Sequence, residues 1–153
     1  MAAASGFGRR GRLGRVFLLT LVLAIVLSVT ATVVGQEWPA LKQGMWEIVR
    51  TTQPPGGGAA KAVTSKRCIT PSEEWKRQNA QLAKAGCTFS PIKHSGNTYS
   101  FTSTCNVMGI SSSTTTTIVM ENDSAYTLTV VGTTDGQPTR EEMKAKRIGD
   151  CSR

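Results

Sequence analysis

Apolar and polar positions change period along this chain in a way that divides it. From Val16 to Val29 the residues are apolar except for Thr20 and Ser28. From Gly44 onward they mostly alternate in short runs, the signature of half-buried strands. Only between Thr70 and Gly86 does a helical spacing replace the alternation. Gly44 to Thr52 (GMWEIVRTT) reads as a strand, Gln53 to Ala60 (QPPGGGAA) as a flexible hairpin loop, and Ala62 to Ile69 as a second strand. Thr70-Pro71-Ser72-Glu73 then places a capping Thr, a Pro at the first helical position and a Glu three residues after the cap. The helix carries Trp75 and Leu82 on one face, with Ala83 beside Leu82, and Gly86 supplies a left-handed stop.

Beyond Gly86 the alternation returns. Cys87 to His94 reads as a strand that Pro91, lacking a donor, pushes to a sheet edge or a bulge. Ser95-Gly96-Asn97 is a turn. Thr98 to Cys105 follows, with Tyr99, Phe101, Ser103 and Cys105 on one face. Ser112 to Met120 is the next strand, Glu121 to Ser124 the next turn, and Tyr126, Leu128 and Val130 alternate with Thr127 and Thr129. Thr133 to Pro138 contains Asp135-Gly136 and ends in Pro, so it reads as a loop. Thr139 to Ile148 closes the chain with Met143 and Ala145 inward and Lys144 and Lys146 outward. The expected class is α+β: an antiparallel meander of about seven strands, in a curved sheet or partial barrel, with one helix packed on it. Trp46, Trp75, Phe101 and Leu128 are its candidate inner residues, either core or ligand-facing.

The apolar run near the start changes the compartment. Arg9, Arg10, Arg12 and Arg15 precede it, and Val33 and Gly35 follow as a small-residue exit before Gln36. Residues 1–35 therefore read as a signal peptide and 36–153 as one exported domain. Extended through Val34, the run reaches spanning length, and an uncleaved N-terminal anchor is the alternative. Gly8 before Arg9-Arg10 and Gly11-Arg12 after it do not fit a twin-arginine signal, so the general secretory route is expected. Charge points the same way. The chain has 18 Lys+Arg against 10 Asp+Glu, +8. Without the four leading arginines, 14 basic residues face 10 acidic ones, +4. The basic residues are scattered or paired with acids, with no basic run interleaved with aromatics, so nucleic-acid binding is not expected. Membrane contact is expected only through the N-terminal segment, if that stays uncleaved.

In an exported chain, Cys68, Cys87, Cys105 and Cys151 read as a disulfide framework. Counting outward from Gly96, with position 94 facing 98, sets Cys87 opposite Cys105, which leaves Cys68 for Cys151. The other two connectivities remain open from sequence alone. By chain entropy the short loop is worth about 3 kcal/mol and the long one about 4.5 kcal/mol. No two cysteines have the C-x2–4-C spacing of structural zinc, and C-x-x-C is absent. His94, the only histidine, lies beside a turn, and the acids sit mostly in turns or serve helix capping. Gly56-Gly57-Gly58-Ala59-Ala60-Lys61 lacks the spacing of a phosphate loop and precedes a strand. No catalytic set, metal site or cofactor is expected.

Gly44-Met45-Trp46-Glu47 at the start, Cys68-Ile69-Thr70-Pro71 before the helix, the Ser95-Gly96-Asn97 turn before Cys105, and Met143 with Lys146-Arg147-Ile148-Gly149-Asp150-Cys151 at the end form a recognisable pattern. Over about residues 42–151 the chain resembles the bacterial exported family known as domain of unknown function 3617. It departs at the first loop, where Pro54-Pro55-Gly56-Gly57-Gly58 stands in place of the family's Met/Pro-rich tract. The resemblance implies a periplasmic or secreted bacterial protein and brings no catalytic residues. A non-enzymatic module binding a ligand or a protein partner is the leading expectation. A lipocalin-like carrier of a lipid or other apolar molecule is the alternative.

Overall fold

The computed structural model describes residues 37–54 and 58–152. The expected signal peptide, with its alternative of an anchor, lies outside the described residues. Eight strands and one helix follow in chain order: β1 (Gly44–Gln53), β2 (Lys61–Ile69), α1 (Pro71–Lys84), β3 (Cys87–Phe89), β4 (Lys93–Ser95), β5 (Thr98–Val107), β6 (Ile110–Asn122), β7 (Ala125–Thr134) and β8 (Gln137–Gly149). All strand pairs are antiparallel. They form one curved open sheet in the order β2-β1-β8-β7-β6-β5-β3, with β4 also beside β5. Among the described residues no helix is long and apolar enough to cross a membrane.

The topology departs from a simple meander at one place: β1 pairs with β8, so the first and last strands meet in the middle. β2 and β3 consequently lie at opposite edges, and α1, which joins them, must cross the sheet. This crossing makes the concave face an interior. Its core is Leu41, Trp46, Ile48, Trp75, Ile118, Tyr126, Leu128 and Ala145. Burying a ring such as Trp46, which is fully buried, contributes on the order of 4 kcal/mol at about 25 cal/mol/Å². The opposite face is solvated and rich in threonine, as a β-branched residue with a hydroxyl suits.

Several local expectations need correction. Cys87 to His94 is two short strands, because Pro91 interrupts the pairing. Phe89 faces Ser103 and Lys93 faces Ser100, so Ser90, Pro91 and Ile92 bulge opposite Phe101 and Thr102. Ser90 repairs the break: its N–H donates to Thr102 O, and its Oγ accepts the Thr102 N–H, both at 3.0 Å. The hairpin turn is the two-residue Gly96-Asn97, so His94 faces Tyr99 rather than Thr98. The bulge restores the register by one residue, and Cys87 stands opposite Cys105.

Thr133 to Pro138 is not a loop. Asp135-Gly136, both left-handed (φ 48° and 75°), forms a two-residue turn and β7 and β8 run up to it. Pro138 is tolerated inside β8 because β1 has already ended at the Gln53–Arg140 pair. β5 and β6 also run on past Cys105 and begin before Ser112, to Val107 and from Ile110.

Thr70 occupies the helix N-cap, but its hydroxyl makes no capping bond; its carbonyl accepts from Glu73 N and Glu74 N at 3.1 Å. Glu73 pairs with Lys76 at 2.7 Å instead of reaching back. What fastens this end is buried Ser72, whose hydroxyl donates to Pro39 O. At the other end Gly86 takes φ 107°, a conformation that its missing Cβ allows.

Candidate functional site

The concave strands carry a gradient of side chains. On β1 the inward positions run Trp46, Ile48, Arg50; on β6 Ile118, Thr116, Thr114; on β7 Tyr126, Leu128, Val130; and on β8 Ala145, Met143, Glu141. Each series passes from bulky or closely packed to small or polar toward the same end of the sheet. At the first end the interior is full. Trp46 and Tyr126 have ring centroids 5.7 Å apart, Tyr126 and Trp75 4.9 Å, and Trp75 and Trp38 6.2 Å; from Trp38 the aromatic row continues into the other end through Phe101 at 5.6 Å and from there to Phe89 at 6.2 Å. Trp46 Nε1 donates to Lys42 O at 3.1 Å, so its one polar atom is satisfied.

At the other end the helix stands off. Only Pro71, Ser72 and Trp75 of α1 are buried. Leu82, expected to pack beside Trp75, is 38% exposed. A cleft of about 510 Å³ lies between this half of the helix and the sheet. Its floor offers Phe101, Ser103, Thr114, Val130 and Met143, with Ser103 and Thr114 hydroxyls bonded at 2.8 Å. Its roof offers Gln78, Asn79, Gln81 and Leu82. Two charged groups border it. Arg50 pairs with Glu141 at 2.6 Å, and Glu74 holds Arg67 at 3.0 Å and Arg77 at 2.6 Å. The Glu141 hydrogen bond holds the Arg50 guanidinium above its ordinary range. Burial pushes the Tyr126 phenol well above its ordinary range, so it enters the cleft wall as a neutral donor.

Of the residues singled out from sequence, Trp75, Phe101 and Leu128 line this cleft, whereas Trp46 is sealed in the packed end. Sequence reasoning missed Trp38, Ile48, Arg50 and Glu141. Ile48 and Arg50 share the parity of Trp46, and Glu141 that of Met143 and Ala145, so alternation could have found them. Trp38 belongs to no strand or helix, and no period points to it. His94 lies outside the cleft lining, its ring stacked on Tyr99 at 4.0 Å and Nε2 2.8 Å from Gly96 O. Among the described residues no three His, Cys, Asp or Glu side chains gather as metal ligands.

The cysteines frame both ends. Cys87 and Cys105 are bonded with Cα atoms 4.1 Å apart, where α1 hands over to β3. Cys68 and Cys151 are bonded with Cα atoms 5.5 Å apart, tying the end of β2 to the segment after β8. With these bridges the structure holds every feature of the pattern read in the sequence, and the family model described as "Protein of unknown function (DUF3617)" matches residues 41–151. The chain belongs to the DUF3617 family. The matched DUF3617 region takes in the whole sheet, the helix, both disulfides and all of the cleft lining except Trp38. No curated protein and no solved structure gives a match.

Proposed function

We propose that this DUF3617 protein is a non-enzymatic, exported binding module whose ligand seats between the second half of α1 and the concave sheet. The observation that carries this reading is the stand-off of the helix: the strands continue beneath it, but their inward positions pass to smaller or polar side chains such as Thr114, Arg50 and Glu141, leaving a walled space. Two disulfides support an oxidising compartment outside the cytoplasm. The mixed lining favours a small amphiphilic ligand, with its apolar part on Phe101, Val130 and Met143 and its polar part toward the side-chain amides and the Arg50–Glu141 pair. A lipocalin-like carrier is the second reading. In its favour is the apolar part of the floor; against it, β2 and β3 leave the sheet open, so it does not close into a barrel.

The test uses the full chain and the anionic amphiphile 8-anilinonaphthalene-1-sulfonate. A saturable fluorescence component is expected that Thr114→Trp removes, with stability changed by no more than about 1 to 3 kcal/mol for a side chain growing into open space. Val130→Trp is the second variant should the first not fold. Equal saturable binding by wild type and a folded cleft-filling variant would sink the proposal. So would a hydrolase or transferase activity that the same variants abolish.

A further inference from the structure

From Ser95 to Met120 the chain has no charged side chain, and this stretch is the β5–β6 hairpin with its tip at Val107-Met108-Gly109-Ile110. Val107 faces Ile110 across a turn in which Met108 (φ 53°) and Gly109 (φ 82°) are both left-handed. Such turns favour Asn, Asp or Gly at the first position, as Asp135-Gly136 illustrates in the neighbouring hairpin. Methionine has neither a hydrogen-bonding side chain to suit that backbone nor a missing Cβ. It is also 98% exposed, and Ile110 is 52% exposed. Neither packing nor turn geometry explains an apolar residue here.

The register adds reach. Asp135 N donates to Ser111 O at 2.7 Å and Ser111 N donates to Asp135 Oδ1 at 2.9 Å, so the β7–β8 turn stops level with Ser111. On the other side β3 stops at Cys87, opposite Cys105. The Val107–Ile110 tip overtops both neighbours as a narrow apolar point.

We infer that this tip is a membrane-contact element that inserts into the interfacial layer of an anionic lipid bilayer. The occupant follows from shape and charge. A narrow protruding point offers a protein partner little of the broad surface that a stable interface needs. It does suit shallow insertion, which demands apolar side chains, no charge to desolvate and no stranded backbone amide. The hairpin pairs its own backbone up to Val107 and Ile110, and neutral Asn106, Ser111 and Ser112 lie at the headgroup level, where the one adjoining carboxylate, Asp135, is bonded to the Ser111 N–H. Without the four leading arginines, 14 basic residues still face 10 acidic ones, and that +4 draws the domain toward an anionic surface. This contact is separate from the N-terminal apolar segment and does not rest on the cleft reading.

Met108 reports on itself through its sulfur. With the full chain and hydrogen peroxide, Met108 is expected to oxidise first, with half-buried Met45, Met120 and Met143 as internal references. Vesicles of phosphatidylethanolamine and phosphatidylglycerol are expected to slow Met108 oxidation about fivefold relative to those references, and pure phosphatidylcholine less. Met108→Asn keeps or raises the melting temperature and loses vesicle protection of the 106–111 amides in hydrogen exchange. Unchanged Met108 oxidation on vesicles overturns the inference, even if the N-terminal segment brings the chain to them. Lipid-free protection that grows with protein concentration also overturns it, in favour of contact between copies.

Discussion

The two ends of the concave face share the same strands and the same roofing helix, yet one is solid and the other open. At the solid end, Trp46, Tyr126, Trp75 and Trp38 pack ring on ring, and Ser72 ties the helix start to Pro39. At the open end the same faces present Arg50, Ser103, Thr114 and Glu141, and the helix presents amides. The antiparallel pairing runs through both ends, with register irregularities at Met45/Trp46 and Met120/Asn122 near the solid one. Side-chain size and polarity, with the path of the helix, decide where this sheet is core and where it borders an open cleft. The helix is held at its start by packing and at its exit by a disulfide, so the space beneath its second half needs no filling to persist.

The disulfides give the largest test of that division. Cys68→Ser with Cys151→Ser opens a loop of sequence separation 83 and is expected to cost about 4.5 kcal/mol. Cys87→Ser with Cys105→Ser opens one of separation 18 and is expected to cost about 3 kcal/mol, together with weaker dye binding as the helix exit loosens. Urea denaturation reads both, and a reversed order would show that the two ends are not supported as described. Between the two falls Trp46→Ala, expected to cost about 4 kcal/mol because a fully buried ring leaves a cavity. Leu82→Ala at the open end is expected to cost less than about 1 kcal/mol, since its side chain faces the cleft rather than a packed neighbour. Comparable losses from the two would mean that the cleft is filled.

The smallest effect concerns pH. Asp123, exposed near the solid end, is bonded to Lys42 at 2.8 Å, and first that bond and then one from Ser124 hold its carboxyl below the ordinary 3.8. A carboxyl depressed in the folded state adds stability that is present above its unfolded value and is lost as pH falls through the folded one. Asp123→Asn is therefore expected to flatten slightly the fall in melting temperature below about pH 4. An identical acid slope in wild type and variant would assign that fall to other groups.

Much of the fold was legible in the sequence because alternation and capping residues act locally. The helix between Thr70 and Gly86, the inward Met143 and Ala145, and the face shared by Tyr99, Phe101, Ser103 and Cys105 all follow from period and punctuation. Asp135-Gly136 was legible too, but the following Pro138 hid it, since a proline argues against a strand unless its neighbour has already ended. Leu82 misled in the opposite direction. Helical spacing places it on the side of Trp75 but says nothing of whether the sheet rises to meet it.

The residues by themselves determined the strands, the helix, the family and the likeness of the chain to an exported, disulfide-bonded domain, because each rests on neighbours a few positions apart or on a quoted motif. Only the tertiary structure decided that β1 meets β8, that α1 must cross from one sheet edge to the other, and that Trp38 completes the aromatic row. Those depend on contacts between residues up to about a hundred positions apart, whose pairing no local period encodes. The cleft belongs to this second class. It exists because the helix crosses a curved sheet whose inward positions turn smaller or polar toward one end.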